Sequence, residues 1–232
     1  AWCLATFVDP ATGEPRVACG DFRTVGVYDP VAGGAPLVMI DMSASVLAVF
    51  KDPATGEPRL ACGTGYPTND VRIFDPVTGG EALLVIDVGN EVKALVVFED
   101  LTTGALRLAS GSKDKKVRVF DPVAGGEALV VLKGHTNDVN ALETFTDPAT
   151  GELRLVSGSG DGTTRVWNPA ASDAAIEAEP EGHSKNVHAL VTFVDPATGA
   201  LRVATGSNDV RVWDAETGSG LLVINVGSNA KA

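Results

Sequence analysis

Two histidines carry the first suggestion of chemistry in this chain. His135 is followed by Ser157, Asp161 and Trp167, and His183 by Thr205, Asp209 and Trp213. A histidine within reach of a hydroxyl and a carboxylate is the raw material of a proton relay. The three cysteines, Cys3, Cys19 and Cys62, add thiols. Their odd number and lack of short pair spacing argue against a disulfide framework or a zinc site, and fit a reducing, cytosol-like setting. Carboxylates are plentiful, 30 in all, and two of them converging on a substrate would be the requirement for glycoside hydrolysis. Seven of them sit in repeated Asp-Pro turns, at Asp9, Asp29, Asp52, Asp75, Asp121, Asp147 and Asp195. The run Gly158-Ser-Gly-Asp-Gly162 superficially resembles a metal or phosphate loop, but reads more simply as a hairpin turn. There is no Gly-x-Ser-x-Gly elbow, phosphate loop or clustered His/Cys site.

The elements that must position these residues are copies of one unit. The turn Asp9-Pro-Ala-Thr-Gly13 returns at Asp52–Gly56, Asp147–Gly151 and Asp195–Gly199, with a variant at Asp100–Gly104. An aromatic followed by Asp or Asn recurs at Tyr28, Phe74, Phe120, Trp167 and Trp213, in steps of 46, 46, 47 and 46 residues. Two independent markers keep step five times, so the repeat is real.

Each unit reads as four short strands. In the fourth copy Val139–Phe145 alternates apolar and polar, Leu153–Ser157 follows the Pro/Gly turn, and Thr163–Trp167 follows Gly158–Gly162. The fourth strand is weak in this copy. It is plain elsewhere, as Leu37–Ile40, Leu83–Ile86, Leu129–Leu132 and Leu221–Ile224. Hairpin-length loops leave no room for crossover helices, so all pairing within a unit is antiparallel. One such sheet cannot bury both faces alone, whereas stacking copies radially can. The expected fold is therefore all-β, a β-propeller of four-stranded antiparallel blades forming a single domain, residues 1–232. Its blades are 1–45, 46–91, 92–138, 139–186 and 187–232.

With the repeat established, the sequence resembles the WD-repeat (tryptophan–aspartate repeat) family. The fourth blade carries Gly134-His135, Val-Ser-Gly-Ser at Val156–Ser159, Asp161-Gly162 and Arg165-Val166-Trp167-Asn168. The resemblance implies a buried, hydrogen-bonded structural tetrad of His135, Ser157, Asp161 and Trp167. The fifth blade offers His183, Thr205, Asp209 and Trp213, with a second turn two residues shorter. The third keeps Ser110 and Asp114, has Phe120 for Trp and lacks the His; the first two have Cys19 and Cys62 at the Ser position. On this reading the histidines are architecture, and the cysteines are buried inert thiols. His188 is an ordinary strand residue. Nine arginines recur at equivalent places, Arg16, Arg59, Arg107, Arg154 and Arg202 in strand two and Arg72, Arg118, Arg165 and Arg211 in strand three, and only Arg23 stands apart.

No catalytic residue, cofactor or metal is expected, and the chain reads as a non-catalytic scaffold for other proteins or peptides. Its 18 Lys plus Arg against 30 acids give a net charge of −12, which disfavours nucleic acid and anionic membranes as partners. No apolar run approaches the roughly 20 residues of a spanning helix, no secretory leader is visible, and the cytoplasm or nucleus is the expected location. Binding is expected where the repeat breaks, at the strand two–three turns of the first three blades. There Phe22, Arg23, Tyr66, Lys113, Lys115 and Lys116 form an aromatic and basic strip suited to acidic or phosphorylated segments. A purely structural or assembly module and a glycan-binding or glycan-processing five-bladed propeller are the alternatives, the second weakened by having three Trp. The ring is expected either to close on five blades or to be five consecutive blades of a larger one.

Overall fold

The computed structural model describes residues 3–148, 150–171, 177–178, 182–215 and 217–225. The blade termini at 1–2 and 226–232 lie outside these. Twenty strands form five sheets, and there is no helix among the described residues. Blade one is β1 (Cys3–Val8), β2 (Pro15–Gly20), β3 (Val25–Tyr28) and β4 (Val38–Ile40). Blade two is β5 (Val46–Lys51), β6 (Pro58–Gly63), β7 (Asp70–Phe74) and β8 (Leu84–Asp87). Blade three holds β9 (Val92–Glu99), β10 (Leu106–Ser112), β11 (Lys116–Phe120) and β12 (Val130–Lys133). Blade four holds β13 (Val139–Thr146), β14 (Leu153–Ser159), β15 (Thr164–Trp167) and a two-residue β16 (Glu177–Ala178). Blade five is β17 (Ala189–Val194), β18 (Leu201–Gly206), β19 (Asp209–Asp214) and β20 (Gly220–Asn225). Every sheet is antiparallel, its strands adjacent in chain order.

The recurrent Asp-Pro-Ala-Thr-Gly turn shows why the hairpins form where they do. The Asp9 carboxylate accepts a hydrogen bond from the Ala11 amide at 3.0 Å, and Gly13 donates to the Asp9 carbonyl at 2.8 Å. That closure needs φ of +75° at residue 13, which glycine adopts without penalty. The strand-two arginines then bind the turns together: Arg16 pairs with Asp9 at 3.4 Å and with Asp29 at 3.6 Å. Arg107 reaches Asp121, and Arg202 reaches both Asp195 and Asp214. These largely buried pairs hold the first and third turns of a blade side by side.

The core lies between blades. Phe7 of blade one packs with Leu47, Leu60, Cys62 and Phe74 of blade two, and Phe50, Phe98 and Phe145 repeat the arrangement at the next three interfaces. First strands pack side by side in the order β1, β5, β9, β13, β17, and the series does not return from β17 to β1. The expected propeller of four-stranded blades is therefore present, and of its two expected forms the closed five-bladed ring is not the one seen: the sheets form an open arc. One thiol is corrected with it. Cys62 is fully buried, but Cys19 at the equivalent place of blade one is only half-buried, because no blade covers that side.

Candidate functional site

In blade four the side chains singled out by sequence meet in one chain of hydrogen bonds. The Trp167 indole N–H donates to Ser157 Oγ at 2.7 Å, and Ser157 Oγ lies 2.7 Å from His135 Nε2. His135 Nδ1 is 3.0 Å from Asp161 Oδ2, which also accepts the Thr136 amide at 2.8 Å. The directions close for a neutral imidazole: indole N–H to hydroxyl, hydroxyl O–H to Nε2, Nδ1–H to carboxylate. Burial holds the His135 imidazole below its usual pKa against the opposing pull of Asp161. Burial by itself would raise the Asp161 carboxyl, but hydrogen bonds from Thr163 and Thr136 outweigh it and hold the group ionised.

Blade five builds the same chain despite its shorter turn. His183 contacts Asp209 at 2.5 Å and Thr205 at 2.7 Å, and Trp213 donates to Thr205 at 2.9 Å. The reason lies in the register. Asp161 follows Ser157 by four residues, and Asp209 follows Thr205 by four. The two missing residues fall after the aspartate, which becomes the first residue of β19 rather than part of a turn. Each chain fastens the loop before a blade to strands two and three of that blade. In the Gly158–Gly162 turn the Asp161 carboxylate is engaged by Thr136, Thr163 and His135.

The third blade shows what happens without the histidine. Ser110 is fully buried with its hydroxyl unpartnered, and Asp114 turns to Arg118 at 2.6 Å and Ser112 at 2.5 Å. The nearby lysines are engaged as well. Lys113 pairs with Glu91 at 3.3 Å and Lys116 with Asp114 at 3.3 Å, so the expected basic strip is partly neutralised by local carboxylates.

The aromatic part of the strip stands out into solvent. Phe22 is 69 % exposed and Tyr66 91 % exposed on the strand two–three turns of blades one and two, beside exposed Arg23. These turns share a rim with the inter-blade loops: the Ala44 amide donates to the Asp21 carbonyl, and the Lys113 amide to the Glu91 carbonyl.

A feature that sequence reasoning missed lies between blades three and four. A cavity of about 520 Å³ is lined by Leu101, Arg107, Leu129, Arg154 and Ala170, among others. The matching space between blades two and three is about 130 Å³, narrowed by Pro122-Val123. The signal was present in the sequence as Ala170, which stands where the first three blades have Val31, Val77 and Val123.

Comparison with known proteins agrees with this geometry. The family described as WD domain, G-beta repeat matches residues 126–168, from the end of blade three to the tetrad tryptophan of blade four. This segment is a WD repeat. The other four sheets follow the same four-stranded antiparallel plan, consistent with a WD-repeat propeller whose sheets form an open arc. A solved structure, the computationally designed Ika8 protein, is similar over 97 % of this chain at a TM-score of 0.66 and 23 % identity, and shows the fold. The chain spans 62 % of that protein's length. No curated protein sequence matches the chain.

Proposed function

We propose that this WD-repeat arc is a non-catalytic scaffold that binds an acidic or phosphorylated protein segment on the rim carrying Phe22, Arg23 and Tyr66. WD repeats are a common vehicle of protein interaction, and the chemistry of the rim supports the reading. The observation that carries it is the pair of large aromatics, Phe22 and Tyr66, held 69 % and 91 % exposed on the turns of neighbouring blades. Aromatic and arginine side chains dominate interface hot spots, because they bury much area at little conformational cost. Arg23 and half-exposed Lys113 and Lys116 add cationic groups on a chain of net charge −12, where a local positive field steers an anionic partner. Exposed pairs such as Lys113–Glu91 contribute little to stability, so a phosphate can compete for the lysine.

The catalytic candidates are engaged elsewhere: both histidines sit in their tetrads, and the repeated acids cap turns or pair with arginines. A cytoplasmic or nuclear setting accords with the free thiols and the acidic composition.

The test is a paired array of phosphorylated, unphosphorylated acidic, and neutral peptides, probed with the chain and with a Phe22→Ala/Tyr66→Ala variant. Binding of phosphorylated or acidic peptides that falls at least about tenfold in the variant is the expected result. No binding, or binding that the variant retains, overturns the reading. A purely structural module gives the first outcome; recognition on a glycan array in its place favours the carbohydrate alternative.

A further inference from the structure

Three departures from the repeat converge on the cavity between blades three and four. Leu101 stands where the other first turns carry Pro10, Pro53, Pro148 and Pro196. Asn168 replaces the third-turn aspartate, present as Asp29, Asp75, Asp121 and Asp214, and Ala170 replaces the valine of the first three blades. All three line the cavity. Its volume is about 520 Å³, against about 130 Å³ between blades two and three and about 90 Å³ between blades one and two. Of these spaces, the first alone reaches the roughly 300–1,000 Å³ that small-molecule sites occupy.

The charges on the wall differ too. In four blades the strand-two arginine turns Nη2 to the aspartate that opens the first turn. Arg16 reaches Asp9 at 3.4 Å, Arg59 reaches Asp52 at 3.3 Å, Arg154 reaches Asp147 at 3.5 Å and Arg202 reaches Asp195 at 3.6 Å. In blade three Asp100 instead accepts the Thr103 hydroxyl on Oδ2 at 2.8 Å. Among the described residues, Arg107 keeps one carboxylate, Asp121, at 3.8 Å through Nη1. The Arg107 side chain is 19 % exposed and lines the cavity, with Nη2 left out of an ion pair. Desolvated guanidinium donors are costly to leave unmatched, and the two oxygens of a carboxylate fit their fork. The acids of the lining are already engaged. Asp100 also accepts the Thr102 amide at 2.9 Å, and Glu152 is held by Arg154 at 2.7 Å. Asn168 accepts the Ala170 amide at 2.9 Å, so it caps its turn without an aspartate's charge. The remaining lining is mainly apolar, including Phe98, Ala170 and the half-exposed Leu101 and Leu129.

We infer that this cavity binds a small organic acid, one carboxylate on an apolar body the size of a ring. The carboxylate pairs with Arg107, and the body lies on Leu101, Leu129 and Ala170. The turns that build the cavity join strands one to two and three to four, at the opposite end of the blades from the strand two–three turns. The inference is therefore independent of the rim.

The probes are phenylpropanoate, naphthylacetate and isovalerate, with their primary amides and acetate as controls. Each is titrated into the chain while the methyl resonances of Leu101 and Leu129 are followed by NMR. At least one of the three acids is expected to bind with a Kd of about 1 mM or tighter and to shift both leucines saturably. Its amide and acetate are expected to bind at least about tenfold more weakly. Ala170→Val restores the residue of the sister blades, and is expected to weaken the acid at least about tenfold at an unchanged melting temperature. Arg107→Gln is expected to abolish the preference for acid over amide. The inference is overturned if none of the acids binds, if the shifts spare both leucines, or if amide and acid bind equally to the parent chain. Undiminished binding by Ala170→Val also overturns it. Should that variant melt below the parent, Arg107→Gln decides, because a retained preference for the acid refutes the pairing.

Discussion

Ser157 and Ser110 occupy the same position in consecutive blades, yet their hydroxyls meet different surroundings. Ser157 Oγ accepts from Trp167 and donates to His135, whereas Ser110 Oγ has no partner at full burial. Removing Ser157 strands two buried groups at once, so Ser157→Ala is expected to lose about 1–3 kcal/mol in chemical denaturation. Ser110→Ala removes a desolvated hydroxyl that bonds nothing, and is expected to stay within about 0.5 kcal/mol of the parent or to gain. The tetrads also fix the acid response. The folded-state pKa values of His135 and His183 lie below the ordinary 6.5, chiefly through burial. The unfolded chain therefore takes up protons first as pH falls, and stability present above about pH 6.5 is lost below it. Asp161 and Asp209, held below the ordinary 3.8 by hydrogen bonds that outweigh burial, add a second loss as pH falls below about 4. Melting temperature is expected to fall between pH 7 and 5 and more steeply below 4; a flat profile through pH 5 contradicts the neutral-histidine tetrad.

Gly158 in β14 and Gly206 in β18 are the same residue of successive blades, and they measure how closely elements approach. A methyl group at Gly158 meets Val187 Cγ1 at 2.6 Å, and Gly63 and Gly111 are crowded in the same way by Val92 and Val139. Val187 is fully buried and cannot yield, so Gly158→Ala is expected to cost about 1–3 kcal/mol by overpacking. At Gly206 the nearest atom is Ala189 Cβ at 3.5 Å, an ordinary contact. Gly206→Ala is expected to be neutral, or stabilising by about 0.5 kcal/mol through reduced freedom of the unfolded strand. Equal losses at the two sites, measured by urea melts, contradict the open face of blade five. At this scale most of the structure was legible. The spacing of Pro/Gly turns and aromatic markers gives the strands to within a residue or two, because each hairpin is set by local hydrogen bonds such as Asp9 to Ala11. The weak fourth strand of blade four, now β16, was equally visible in the loss of its apolar run.

For the whole molecule, stability is set by nearest neighbours, as in other repeat proteins. Blade three is covered on both sides, while the first and last strands of blade five, β17 and β20, consist largely of exposed residues. Amide exchange is expected to be fastest in β17–β20 and slowest in β9–β11, read by mass spectrometry of the native chain. Uniform protection across the five blades contradicts the open arc.

The sequence by itself determined the strands and the blade count, and its family resemblance implied the tetrads. These depend on residues close in the chain or at a fixed step, and periodicity records such relations directly. Whether Asp209 reaches His183, that Lys113 and Lys116 are held by carboxylates, that a cavity opens beside Ala170, and that Cys19 is only half-buried and Phe193 exposed were decided only by the tertiary structure. A residue's type states what it can bury or bond. Only the arrangement of blades in space supplies the neighbour, and at the two ends of this arc the neighbour is missing.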